Sequence, residues 1–276
     1  MAIKNILVAF NGTQSSEAAV SAAVLMHKKY NCHVTGILVH SGQREQLSAN
    51  SWVPENVRET ITAKVKEMEE TVHDQFIAFA GNDIAADQVH WISLFGNADA
   101  TVASYARMYD LTVVGRYDAI HGQEHLELHP EAIALKSGRP VLVVPRGHHP
   151  GQIRETAVVA WDGRRAAARA VMDAMQLLET KQKVSVVSVS DGTLRDALEG
   201  IDIKTALTRH GIDVARVKKP QSKQKTAQDI LQHCEDVSAG LLVMGAYEHS
   251  PFRERIFGCN THYILKNAQL PVLIAH

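Results

Sequence analysis

Cysteine is scarce and scattered. The 276-residue chain holds three, Cys32, Cys234 and Cys259, with no CxxC pair among them. That excludes a disulfide framework and a zinc ribbon, and fits a reducing, cytoplasmic setting. An excess of one charge is also missing. Lys+Arg number 29 against 30 Asp+Glu, a formal net charge of −1, so no bulk field draws the chain to nucleic acid or to an anionic membrane. No apolar run approaches the roughly 18 residues that span a bilayer. The opening Met1-Ala2-Ile3-Lys4-Asn5 lacks the basic region, apolar stretch and cleavage site of a secretory signal. Histidine is plentiful at 15, but no HExxH or closely paired spacing marks a metal site. What is present is ordinary for a globular protein: 45% hydrophobic and 21% charged residues. At roughly 150 residues per domain the length suits two domains.

The chain repeats itself. Leu111-Thr112-Val113-Val114-Gly115-Arg116, then Gly138-Arg139-Pro140-Val141-Leu142-Val143-Val144-Pro145, is echoed by Leu241-Leu242-Val243-Met244-Gly245-Ala246, then Leu270-Pro271-Val272-Leu273-Ile274-Ala275. The starts match as well: Asn5-Ile6-Leu7-Val8-Ala9-Phe10-Asn11-Gly12 against Thr156-Ala157-Val158-Val159-Ala160-Trp161-Asp162-Gly163. Two copies at so long a period indicate a duplicated domain and not a solenoid. The expected domains are 1–146 and 154–276, joined by the polar, turn-rich Arg146–Ile153.

Within each copy, short apolar runs alternate with segments of helical period. In the first, strands are expected at Ile3–Phe10, His33–His40, Val89–Phe95, Leu111–Gly115 and Pro140–Val144. Helices are expected at Ser15–Lys29, Glu55–Phe79, Ala98–Met108 and Glu131–Lys136. The stripe Ile61, Val65, Met68, Val72, Phe76 and Phe79 on the long second helix reads as core packing. The second copy predicts strands at Ala157–Trp161, Val184–Val189, Val214–Val217, Leu241–Met244 and Val272–Ala275. Such alternation means α/β architecture: two doubly wound open sheets of five parallel strands each, in tandem. In these sheets ligands lie beyond the carboxyl ends of the strands, where strand order reverses. The loops after the first and fourth strands of each copy are therefore the places for chemistry.

After the fourth strand of copy two, Gly245 ends the strand and Gly258 precedes an apolar-periodic helix, with Cys259, Asn260 and Thr261 in its first turn. Free backbone N–H groups and the positive end of a helix bind anions, and Arg253 and Arg255 in the loop add charge. This spacing reads equally as a phosphate cradle or as ordinary turn glycines. Asp162, after the first strand, is placed to cap the next helix and can also accept from a ligand. Copy one is different. Its loop has no glycine next to the helix start, Pro130 offers no N–H, and Asp118, Glu124, Glu127 and Glu131 oppose a phosphate, with only Arg116 and nearby histidines to offset them. The counterpart of Asp162 is Asn11.

These segments resemble the universal stress protein family over essentially the whole chain. Ile6–Thr13 and Val158–Arg164 are similar to its ILVAxDGS strand-turn, and Pro140–Val144 and Pro271–Ala275 to its PVLVV strand. Gly245 and Gly258 match the first and third glycines of the G-x2-G-x9-G-[ST] run of the family's ATP-binding members. Glu248 replaces the second glycine and Cys259 the Ser/Thr. The resemblance implies an adenine nucleotide alpha hydrolase-like fold and a cytoplasmic stress-response regulator. Its second copy would bind ATP, ADP or AMP, with or without Mg. The implied site comprises Ala160, Trp161, Asp162, Gly163, Val189, Met244, Gly245, Ala246, Glu248, Gly258, Cys259, Asn260 and Thr261. It also implies that the two copies pair as an intramolecular pseudo-dimer through their last strands, with a homodimer and unknown protein partners as further expectations.

Two other readings stand beside this one. The same fold acts as an interaction module without a nucleotide, since both loops depart from the motif. As an enzyme it would manage at most slow ATP hydrolysis: SGGxDS and HIGH signatures are absent, and no general base with an orienting partner is visible. Cys259 is a minor redox candidate if the helix start lowers its pKa. The Lys218–Lys225 run reads as a solvated loop.

Overall fold

The computed structural model describes residues 3–40, 54–81, 83–116, 128–188, 197–198, 201–218, 226–246 and 258–276. Side chains at 197–198, 216–218 and 258–259 are excepted. The front half runs β1 (Asn5–Ala9), α1 (Gln14–Tyr30), β2 (His33–His40), α2 (Glu55–Ala80), β3 (Val89–Phe95), α3 (Ala98–Ala106), β4 (Leu111–Gly115), α4 (Pro130–Ser137) and β5 (Val141–Val144). The rear half runs β6 (Thr156–Trp161), α5 (Arg165–Leu178), β7 (Lys183–Ser188), β8 (Ala197–Leu198), β9 (Ile201–Asp202), α6 (Ile203–Arg209), β10 (Val214–Lys218), α7 (Thr226–Asp236), β11 (Leu241–Gly245), α8 (Gly258–Asn267) and β12 (Val272–Ala275). Local chemistry sets several of these boundaries. Thr13 caps α1 by accepting from the Ser16 amide, and Asn31 ends it in the left-handed region at φ 51°. Asp202 caps α6 by accepting from the Thr205 amide at 2.7 Å.

Each half orders its strands as a doubly wound sheet, reversing direction between the first and fourth strands: β3-β2-β1-β4-β5 and β10-β7-β6-β11-β12. The two expected sheets are in fact one. β5 and β12 pair antiparallel, Val143 opposite Val272 and Leu142 opposite Leu273, giving a continuous ten-stranded sheet. An apolar strand edge is a template for pairing, and here each half covers the other's. All eight residues of β5 and β12 are buried. The intramolecular pairing through the last strands is thus seen directly.

One face of the sheet is covered by α1, α2, α5 and α6, the other by α3, α4, α7 and α8. Two features differ from the sequence reading. The β8–β9 pair, two residues each and antiparallel, has no sequence signal. The α2 stripe is only half core: Val72 and Phe76 are buried, but Met68 and Phe79 are about 40% exposed. The cause is length. A helix of 26 residues extends roughly 39 Å, beyond the roughly 26 Å of an eight-residue strand.

Candidate functional site

The strand-order reversal places a crevice at the carboxyl ends of β6 and β11. Register pairs Val159 with Val243, so Ala160 and Met244, then Trp161 and Gly245, follow at the rim. Asp162 and Gly163 turn the chain out of β6, and Ala246 continues β11 by donating to Ala275 O at 2.8 Å. Gly163 takes φ 76°, a left-handed turn that disfavours a side chain. Asp162 Oδ1 accepts from the Arg164 amide at 2.9 Å. That is a turn bond; the N-cap of α5 is Arg164, which makes no side-chain cap bond. Gly258, Cys259, Asn260 and Thr261 form the first turn of α8, with Thr261 buried. Val189 and Glu248 lie outside the described residues, as do Arg253 and Arg255 and most of the lysine run.

Gly245 has a structural duty. A Cβ placed on it would stand 2.6 Å from the Ala166 carbonyl carbon and the Ala167 amide nitrogen, so α5 docks directly on the strand end. Gly115 of the front half does the same against the Ser15 carbonyl. The paired glycines therefore belong to helix-on-strand packing in both copies, and the second copy's glycine is no ligand signature by itself.

The front crevice holds little space among the described residues. A cavity of only about 20 Å³ remains among Ala9, Phe10, Asn11, Ile37, Val39, Ala98, Val102 and Leu128, room for about one water. Phe10 completes an aromatic cluster, its ring centroid 5.6 Å from Phe76 and 6.4 Å from Trp91. At the start of α4, the Asp99 carboxylate accepts from the His129 amide at 2.9 Å and meets His129 Nδ1 at 2.8 Å. Asp99 is also in the first turn of α3, so the protein's own anion sits at two positive helix ends. Arg116 is diverted: its Nη1 donates to Ala268 O at the end of α8. Sequence reasoning gave Arg116 and the nearby histidines the task of offsetting charge and missed Asp99.

The rear crevice differs at each of these points. Aligning the buried pair Val102 and Ala106 with Ile230 and Cys234 puts Ala227, buried and apolar, where Asp99 stands. Trp161 occupies the place of Phe10, and its indole Nε1 is buried with no partner. Ser188, paired with Trp161 in register, has a buried hydroxyl that also lacks one. A buried donor left unmet costs about 1–3 kcal/mol, which marks this rim as a place where a partner from outside is favoured. Ser188 was missed in sequence, where the strand was expected to run on to Val189. No described group of three His, Cys, Asp or Glu is placed to hold a metal.

The sequence profile described as Universal stress protein family matches residues 154–276. A universal stress protein of Archaeoglobus fulgidus DSM 4304 is similar in structure over 98% of this chain and 95% of its own, at 14% identity and TM-score 0.71. A functionally unknown protein of Pseudomonas aeruginosa PAO1 is similar over 99% and 92%, at 13% identity and TM-score 0.56. At these identities the likeness is one of fold, and it extends across both halves. No curated protein matches the sequence.

Proposed function

We propose that the crevice of the rear half, the part of the chain that matches the universal stress protein profile, binds an adenine nucleotide while the front half serves as a structural partner. The base would lie near Trp161, Asp162 and Val189, and the phosphates at the first turn of α8, from Gly258 to Thr261. The exchange of Asp99 for Ala227 carries this reading. The front half supplies its own carboxylate to a helix start, and the residue aligned with it in the rear half is an alanine. A helix start attracts a phosphate. The unpartnered Trp161 and Ser188 donors support it at the rim. Magnesium would arrive with the phosphates. The role is regulatory and the setting cytoplasmic; among the described residues no helix is long and apolar enough to cross a membrane. The last-strand edges are consumed inside the chain, so a homodimer would use another surface.

Thermal unfolding of the full chain with ATP, ADP and AMP tests this reading. Ligand at one hundred times its dissociation constant adds about 2.7 kcal/mol of stability. Gly258→Asp should weaken that shift and leave the circular dichroism unchanged. If none of the three nucleotides moves the transition, or the variant responds equally, the assignment falls. The second reading, an interaction module without a nucleotide, rests on Glu248 at the motif's second glycine, and the same null result would favour it.

A further inference from the structure

A larger cavity, about 160 Å³, lies away from both crevices, where the two halves meet. Its apolar walls come from every part of the junction: Leu25 and Met26 of α1, Ile153 of the linker, Leu177 of α5 and Leu270 ahead of β12. Its polar lining holds the neutral Tyr30, Gln152 and Gln269, and its charged lining has one sign. His148, Arg154 and Lys181 face it, and no acidic side chain does.

We propose that this cavity binds a small apolar carboxylic acid, its ring or short chain among Leu25, Met26, Ile153, Leu177 and Leu270 and its carboxylate toward Lys181. The size fits. A dry apolar cavity of about 150 Å³ accepts a benzene-sized molecule. The charge fits as well. Lys181 Nζ donates to Arg154 O at 2.6 Å, which uses one of the three donors of an ammonium. Glu155, the carboxylate that acts on Lys181, is already engaged by Lys29 at 2.9 Å. Burial pushes Lys181 down to about 8, with Lys29 adding to the effect and Glu155 opposing it. Burial also lowers His148, helped by Arg154 and His149. A carboxylate would relieve this crowding of cations. Because the walls come from both halves and their linker, the ligand would also fasten one half to the other.

The probe is phenylacetate, compared by calorimetry with its neutral isostere 2-phenylethanol on the full chain. Phenylacetate should bind, raise the unfolding temperature, and exceed the alcohol by about tenfold or more, as a charge-assisted hydrogen bond does. Lys181→Met should remove that advantage and leave alcohol binding in place. Leu25→Trp, which fills the cavity, should abolish both while the protein keeps its circular dichroism. Above about pH 8, phenylacetate binding should take up a proton as the anion raises Lys181. Absence of phenylacetate binding overturns the proposal. So does equal affinity for acid and alcohol, or indifference to Lys181→Met.

Discussion

The two crevices of this molecule sit at the same point of the same fold and are lined by different residues. In front, Phe10 follows β1 and packs on Phe76 and Trp91, and about 20 Å³ is left. In the rear, β6 ends in Trp161, whose indole nitrogen and the neighbouring Ser188 hydroxyl are buried without partners. In front, the Asp99 carboxylate occupies the start of α4; in the rear, Ala227 stands in its place. The difference teaches that two copies of one strand order can line the same point differently: the front fills it with its own carboxylate and aromatic rings. Arg116 fastens the front half to the end of α8.

The largest expected effect tests what the halves share. Gly115→Val and Gly245→Val each drive a side chain into the backbone that opens the next helix. Both should lose about 3 kcal/mol or more in urea unfolding, the upper range for overpacking. Comparable losses confirm that the strand-end glycine is architectural in both copies. A mild effect at Gly245 with loss of nucleotide affinity would return it to the ligand.

Ala227→Asp breaks the comparison directly by giving the rear half the front half's plug. The new carboxylate should compete for the amides of α8 and reduce nucleotide affinity about tenfold or more, read as a lost thermal shift. An unchanged shift would show that Asp99 is not what closed the front. Asp99→Ala is the reverse experiment. Loss of its bonds to His129 should cost about 1–2 kcal/mol of stability. It should confer no nucleotide binding in front, because Phe10 and Leu128 still fill the crevice.

The sequence carried the frame of this comparison and missed its content. β2, β4 and β12 fall on the expected residues because buried strands are near-continuous apolar runs bounded by turns, and the half-exposed edge strand β3 falls on them as well. The repeat was visible for the same reason, and it placed Asp162 and Gly245 at strand ends correctly. The plug was invisible. Asp99 and His129 are thirty residues apart, and each is unremarkable at a helix start, so only the folded chain shows that they meet. The joining of two sheets into one needed the resemblance as well as the exposed edge. The α2 stripe misled because periodicity reports a face and says nothing of how far the neighbouring layer extends.

The smallest effect concerns how the front half locks the strands beside its crevice. At the end of β2, His40 Nε2 lies 2.9 Å from both Ser93 Oγ and Glu69 Oε1, and Ser93 donates to that same carboxylate. The rear half's Ser188, at the end of β7, has no comparable partner. Burial lowers His40 below the ordinary histidine value, with Glu69 opposing it. The folded state therefore takes up its proton later than the unfolded chain. Between the ordinary value near 6.5 and the lower folded one, the unfolded chain binds more protons, so stability falls as the pH is lowered through that window. Urea midpoints from about pH 7.5 to about pH 5 should decline in the native protein, and the slope should flatten in His40→Gln. An unchanged slope would move the acid sensitivity elsewhere and leave the locking of the front half to its aromatic cluster alone.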